Sequence, residues 1–126
     1  MADSLLIVDD SVTMRMIIKR TLRAAGLSFE RTDEAANGKE AVEKLRKQTY
    51  SIMLCDINMP EMSGSELVKQ VRQITYHNDM QIIMISTESS QELIDQLLAD
   101  GANDYIGKPF TADKFRDKLS PLVASS

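Results

Sequence analysis

The fold of this chain is decided by two stretches, Leu5-Leu6-Ile7-Val8-Asp9-Asp10 and Ser51-Ile52-Met53-Leu54-Cys55-Asp56. In each stretch a short apolar run ends directly in aspartate. Such a run, bounded by polar residues, is typical of a parallel strand that is buried on both faces. In parallel α/β sheets, functional side chains gather at the carboxyl ends of strands, where the strand order reverses. If these two strands are neighbours, three carboxylates meet in one pocket.

The rest of the sequence alternates between strand-like and helix-like segments. Further strands are predicted at 28–32, at the sheet edge, and at 80–85 and 104–106. Helices are predicted to begin after Ser11, Asn37, residue 64, Ser90 and Thr111, and the last helix is expected to include Leu122. Five strands alternating with five helices indicate an α/β fold with a doubly wound parallel sheet. Right-handed crossovers favour the flavodoxin-like (βα)5 strand order 2-1-3-4-5, which makes the first and third strands neighbours.

Length, charge and composition narrow the classes of function. A chain of 126 residues suits one domain spanning 1–126. The net charge of −4 argues against a nucleic-acid surface, and no run approaches the length of a membrane span. One cysteine and one histidine exclude a disulfide framework and a Cys/His zinc cluster. Cys55 is expected to pack in the core and His77 to lie in a solvated loop. Ordinary composition, the lack of a membrane-span run and the single cysteine together predict a cytoplasmic domain.

The acidic residues at the two strand ends suggest phosphoryl chemistry. Asp56 is a candidate nucleophile, because a carboxylate can attack phosphorus and form an acyl phosphate; an isolated aspartate here would more simply be a turn or capping residue. Asp9 and Asp10 are candidate magnesium ligands, since Mg²⁺ prefers a few carboxylates, although acids before a helix are also favoured by its dipole. A backbone carbonyl near Asn58 is a candidate further ligand.

A cation is expected near these acids, because crowded like charges repel. Lys108 could neutralise the pocket and hold a phosphoryl oxygen, the alternative being an ordinary surface lysine. A cis bond between Lys108 and Pro109 would fix the direction of the ammonium. Ser86 and Thr87 end the fourth strand, and one hydroxyl could donate to a phosphoryl oxygen or simply be a polar strand end. Tyr105 is most simply a half-buried strand aromatic with its hydroxyl in water.

Three motifs together resemble the receiver domain of two-component response regulators. They are Leu6-Ile7-Val8-Asp9-Asp10-Ser11, Cys55-Asp56-Ile57-Asn58-Met59-Pro60 with Gly64 following, and Gly101-Ala102-Asn103-Asp104-Tyr105-Ile106-Gly107-Lys108-Pro109-Phe110. The motifs occur in the family's order and spacing, and the resemblance covers essentially the whole chain. Asp10-Ser11-Val12-Thr13-Met14-Arg15, with Asn58 two positions after Asp56, is closer still to single-domain chemotaxis regulators.

The resemblance implies a role for each candidate residue. Asp56 is expected to accept a phosphoryl group from a histidine kinase, while Lys108 contacts that group. Magnesium is expected to bind Asp9, Asp10, Asp56 and the Asn58 carbonyl. Ser86 matches the switch hydroxyl, and Tyr105 matches the rotating aromatic of the output face. Thr87 stands where Ala or Gly is commonest, so it is expected to gate the approach of water or a phosphatase.

The implied partners are proteins rather than nucleic acid or membrane. They are a CheA-like histidine kinase, a phosphorylation-dependent target such as a flagellar switch, and a phosphatase. The resemblance implies a signalling domain rather than an enzyme, with self-phosphorylation from small donors and autodephosphorylation.

Three other functions stay open from the residues. One is a phosphorelay intermediate or phosphate sink that passes the group to a histidine phosphotransfer protein. A second is an aspartate-based phosphatase, which needs a general acid two residues after the nucleophile, where this chain has Asn58. A third is the receiver half of a transcription factor, against which the lack of a basic helix-turn-helix segment after Leu122 argues.

Overall fold

A computed structural model describes residues 3–57, 59, 62–74, 79–87 and 90–123. Five parallel strands form one sheet in the order β2-β1-β3-β4-β5, which confirms the predicted α/β fold and strand order. The elements are β1 (Ser4–Val8), α1 (Val12–Ala24), β2 (Arg31–Ala35), α2 (Gly38–Lys47), β3 (Ile52–Asp56), α3 (Gly64–Gln73), β4 (Gln81–Ser86), α4 (Gln91–Asp100), β5 (Asp104–Gly107) and α5 (Ala112–Leu119).

Each α-helix begins after a polar side chain that accepts a hydrogen bond from the helix's own first turn. These caps are Ser11, Asn37, Ser63, Ser90 and Thr111. Such side chains satisfy backbone N–H groups that have no partner inside the helix. The cap of α3 is Ser63, so this helix begins one residue earlier than predicted. Because every helix starts just after a strand end or its loop, the caps gather at the carboxyl edge of the sheet.

Two other predicted boundaries are also wrong. The second strand runs from Arg31 to Ala35 rather than over 28–32, because Leu27 and Phe29 pack from a loop against the α1–α5 side of the sheet. The edge strand itself is largely polar, so its sequence lacks the apolar run that marks the inner strands. The last helix ends at Leu119, and a 3-10 turn follows over Ser120–Leu122, since proline at 121 has no N–H to continue the α-helical pattern.

Hydrophobic side chains fill both faces of the sheet. Successive residues of a strand point to opposite faces, so Leu6 and Val8 belong to the cluster under α2, α3 and α4, while Leu5 and Ile7 belong to the cluster under α1 and α5. Cys55 is fully buried in the first cluster, as expected for a small core residue. Among the helices that the structure describes, none is both long and apolar enough to cross a bilayer.

The pairing of β1 with β3 positions the acids. These strands run parallel, with Val8 opposite Cys55. Their next residues, Asp9 and Asp56, therefore leave the sheet side by side at the carboxyl edge.

Candidate functional site

Three carboxylates converge where β1 and β3 end. One oxygen from each of Asp9, Asp10 and Asp56 lies within 4.8 Å of the others. Asp9 and Asp56 are buried, whereas Asp10 is exposed at the mouth of the pocket. The arrangement therefore combines two acids fixed by the core with one that can meet solvent.

The two carboxylate oxygens of Asp9 differ in their surroundings. Its Oδ1 accepts the backbone N–H of Ser11 at 2.9 Å, while its Oδ2 is buried and has no hydrogen-bond partner among the described residues. Burial raises the pKa of Asp9, and the charges of Asp56 and Asp10 raise it further; the Ser11 N–H and Lys108 act in the opposite direction. Burial and repulsion outweigh these favourable contacts, so the ionised form of Asp9 needs further positive charge.

This donor set fits a small, hard divalent cation. Three carboxylates offer the oxygen ligands that Mg²⁺ accepts, and exposed Asp10 leaves one side open to the water that magnesium keeps. A cation would also give the buried Oδ2 of Asp9 a partner. The residues present thus match magnesium in chemistry and in charge.

Lys108 supplies the ammonium at this site. Its Nζ lies 3.5 Å from Oδ1 of Asp56, and the two side chains are only 17% and 8% exposed. The ammonium is therefore held inside the acidic pocket rather than in bulk water, unlike an ordinary surface lysine. The peptide bond between Lys108 and Pro109 is cis.

The end of β4 links Lys108 to Tyr105. The backbone carbonyl of Ser86 accepts the N–H of Lys108 at 2.7 Å and the hydroxyl of Tyr105 at 3.4 Å. Ser86 is buried and Tyr105 is half-buried, so the tyrosine hydroxyl is directed at the strand end rather than into water. One backbone group thus contacts both the residue that carries the ammonium and the aromatic of β5.

Thr87 is exposed beside the site. It lines an apolar groove of about 380 Å³ together with Lys108, Pro109, Phe110 and residues of α1. The groove reaches the acidic pocket through Lys108. Thr87 therefore shares this groove with Lys108, and its role as a gate stays a prediction.

Two of the sequence-predicted residues cannot be placed. Asn58 and His77 lie outside the described residues. At Gly64, the first residue of α3, an added Cβ would come within 2.7 Å of the Asp56 carbonyl oxygen. Only glycine allows α3 to start this close to the strand end that carries Asp56.

Two basic residues of α1, Arg15 and Lys19, share one acidic partner. Arg15 Nε lies 2.9 Å from one carboxylate oxygen of Glu34 on β2, and Lys19 Nζ lies 2.8 Å from the other. Arg15 also donates to the backbone carbonyl of Asp9. The basic residues follow helical spacing, but only the packing of α1 on β2 reveals their acidic partner.

Comparison with known proteins places these features among bacterial signalling proteins. The family model for the response regulator receiver domain matches residues 5–120. A chemotaxis protein CheY homolog of Campylobacter jejuni is 43% identical over 122 residues, which cover 96% of this chain and 92% of that protein.

Solved structures agree with the sequence matches. The chemotaxis response regulator CheY4 of Vibrio cholerae superposes with a TM-score of 0.86 at 33% identity, covering 98% of this chain and all of that one. The receiver domain of a Pseudomonas aeruginosa sensor histidine kinase, described with a magnesium ion coordinated in its active site cleft, superposes with a TM-score of 0.83 at 25% identity and covers 99% of this chain and 100% of that one.

Proposed function

This chain belongs to the response regulator receiver domain family, a family of signalling domains, and we propose that it is a magnesium-dependent switch phosphorylated on Asp56 by a histidine kinase. The observation that carries the proposal is the convergence of Asp9, Asp10 and Asp56 at the ends of two adjacent strands, with Lys108 3.5 Å from Asp56. We take residues 1–126 to act as a single receiver domain.

Asp56 is the proposed nucleophile. Its carboxylate oxygen forms a bond to phosphorus while the bond from phosphorus to the donor breaks, and the donor leaves with its electron pair. Asp56 is 7% exposed at the end of β3, so its carboxylate lies in the pocket rather than in bulk water. Asp9, Asp10 and Asp56, with the backbone carbonyl of Asn58, are the proposed magnesium ligands. Bound magnesium would neutralise developing negative charge on the phosphoryl oxygens.

Lys108 is proposed to bind the transferred phosphoryl group. Its ammonium is already in the pocket beside Asp56, so little reorganisation is needed when an anionic group arrives. Attachment of phosphate to Asp56 gives the ammonium more negative charge to pair with. Phosphorylation is therefore proposed to shift the Lys108 side chain relative to Asp56. Because the Lys108 N–H donates to the Ser86 carbonyl, this shift can reach the end of β4.

Ser86 and Tyr105 are proposed to carry the change to the surface. The Ser86 hydroxyl is proposed to bind a phosphoryl oxygen, and the Ser86 carbonyl meets both the Lys108 N–H and the Tyr105 hydroxyl. Movement at this carbonyl would alter the bond that holds the Tyr105 ring. Such a change at a half-buried aromatic can favour one protein partner over another.

The proposed partners are a CheA-like histidine kinase, a target protein such as a flagellar switch, and a phosphatase, in the cytoplasm. Similarity to chemotaxis proteins over almost the whole chain favours this role over that of a phosphorelay intermediate. Slow self-phosphorylation from small donors and autodephosphorylation belong to the proposal.

The test is phosphorylation by phosphoramidate, followed by mass spectrometry of the intact protein. Wild-type protein is expected to gain one phosphoryl group in Mg²⁺ and almost none in EDTA, and Asp56→Asn should gain none under either condition. Asp33→Asn is the matched control, since Asp33 lies on β2 and bonds Tyr50 away from the pocket. Equal labelling of Asp56→Asn and wild type would refute the assignment of Asp56.

A further inference from the structure

We infer that Arg15 is a positioning residue for Asp9, and that Glu34 anchors Arg15 in this role. The inference rests on the magnesium site proposed above. Asp9 is the acid whose direction matters most there, because it is 2% exposed and its Oδ2 has no hydrogen-bond partner among the described residues.

The backbone of Asp9 is held from two directions. Its N–H donates to the carbonyl of Ala35 at 3.1 Å, and its own carbonyl accepts from Nη1 of Arg15. Ala35 is the last residue of β2, and Arg15 lies in the second turn of α1. The orientation of Asp9 at the end of β1 is therefore set by the edge strand on one side and by a helix side chain on the other.

Arg15 is itself fixed in place. Its side chain is 11% exposed, and its Nε lies 2.9 Å from Oε1 of Glu34, the residue before Ala35. Glu34 Oε2 accepts from Lys19 at 2.8 Å, so one carboxylate ties two turns of α1 to β2. The planar guanidinium can reach Glu34 and the Asp9 carbonyl together, which the single ammonium of a lysine cannot reproduce.

A positioning role and a purely electrostatic role of Arg15 predict opposite changes in magnesium affinity when Arg15 is replaced. A positive charge near a cation site repels the cation, so if Arg15 acted only through its charge, its removal would tighten magnesium binding. If Arg15 aligns Asp9, its removal would weaken binding despite the lost repulsion. Groups that orient metal ligands typically contribute about tenfold or more to metal affinity.

The experiment is calorimetric titration of each purified protein with MgCl₂ alone, at a temperature where circular dichroism shows it to be folded. Arg15→Lys keeps the charge, and Arg15→Gln removes it. Arg20→Lys and Arg20→Gln are the matched controls, because Arg20 lies on the same helix and is exposed. We expect both Arg15 variants to bind Mg²⁺ about tenfold more weakly than wild type, and both Arg20 variants to bind within about twofold of it.

Melting in the presence and absence of Mg²⁺ separates positioning from a purely structural role. A structural role would lower both melting temperatures equally, whereas positioning also shrinks the increase that Mg²⁺ produces. If wild type binds Mg²⁺ and Arg15→Lys binds it equally well, the positioning inference is overturned while the proposed function stands. Tighter binding by Arg15→Gln would also overturn it. If wild type binds no Mg²⁺, both the inference and the proposed metal site fail.

Discussion

Nζ of Lys108 lies 3.5 Å from Oδ1 of Asp56, and both side chains are largely buried. A buried ion pair contributes little to stability when the desolvation of both charges is counted. Here the pair also sits beside two further acids. One ammonium against three carboxylates leaves the pocket with excess negative charge.

Replacing Asp9 with Asn should stabilise the metal-free protein and abolish tight magnesium binding. Asn keeps an acceptor for the Ser11 N–H but removes a charge that is buried beside Asp56. The free energy of unfolding in EDTA should rise by about 1 kcal/mol, the order of magnitude for an unsatisfied buried group. Urea denaturation with and without Mg²⁺ measures both effects.

Asp104→Asn is the control for this substitution, because Asp104 is a partly exposed acid paired with Lys118. It should change neither stability in EDTA nor the response to Mg²⁺ by more than a few tenths of a kcal/mol. A metal-free Asp9→Asn protein that is less stable than wild type would show that the Asp9 charge is compensated in the native state.

Magnesium affinity should fall on acidification, above the pH at which an ordinary aspartate titrates. The pKa of Asp9 is raised, first by burial and then by its acidic neighbours. Its contribution to the stability of the metal-free protein is therefore full below the unfolded pKa and is lost as the pH rises through the folded pKa. Magnesium needs the ionised form, so binding must release a proton near the folded pKa.

Titration calorimetry between about pH 4 and pH 7, in buffers with different ionisation enthalpies, counts that proton. Proton release should disappear at the upper end of the range. If affinity and proton release stay constant across it, Asp9 is not the acid that couples pH to metal binding.

Lys108→Ala should impair signalling more than folding. The ammonium balances Asp56 and is the proposed contact of the phosphoryl group, so its main effect is expected on the charges of the pocket. Lys118→Ala is a matched control, since Lys118 pairs with Asp104 at 2.9 Å on the surface. We expect both variants to melt within a few degrees of wild type.

The two lysine variants should differ in their response to phosphorylation. Nuclear magnetic resonance of the Tyr105 amide, recorded with Mg²⁺ and phosphoramidate, should show a shift in wild type and in Lys118→Ala but not in Lys108→Ala. A large loss of melting temperature in Lys108→Ala, together with an intact Tyr105 shift, would show that Lys108 matters more for folding than for signalling.

Thr87→Ala should lose its phosphoryl group several-fold faster than wild type. Thr87 is exposed at the rim of the site and lines the groove that reaches Lys108. Attack on an acyl phosphate needs water in line with the leaving carboxylate, so bulk at the rim restricts the approach. Entry of small phosphodonors should be faster for the same reason.

Thr87→Ser separates the methyl group from the hydroxyl, because it removes only the former. If the bulk of the side chain is the barrier, the serine variant should also lose its phosphoryl group faster than wild type. The loss is followed by intact-mass measurements over time after the phosphodonor is removed. Decay that is unchanged or slower in Thr87→Ala would mean that the side chain is no barrier.

Sequence pattern predicted the inner part of this fold well, for a physical reason. Strands buried on both faces must be apolar throughout, so β1, β3 and β4 are visible as runs, and the aspartates that end the runs of β1 and β3 are visible with them. The edge strand β2 has no such run, and its predicted position was therefore shifted toward Leu27 and Phe29. The order of the strands followed from the handedness of the crossovers rather than from any single residue.

Side-chain contacts between different helices and strands could not be predicted from the sequence pattern. Arg15 and Lys19 have the spacing of a solvated helix face, and nothing in that spacing points to Glu34. The Tyr105 hydroxyl bond to the Ser86 carbonyl depends on the pairing of β4 with β5, in which Ser86 faces Gly107. Such partners are set by tertiary packing and become visible only once the sheet is assembled.

The pairing of β1 with β3 has a consequence for the order of events during folding. Asp9 and Asp56 come from segments far apart along the chain, separated by α1, β2 and α2. Contacts between such distant segments cost loop-closure entropy and form late compared with local helices. The acidic pocket therefore needs the pairing of β1 with β3, whereas each helix is built from residues that are neighbours in the chain. A chain in which β1 and β3 are not paired would lack the proposed phosphorylation site, even with its helices formed.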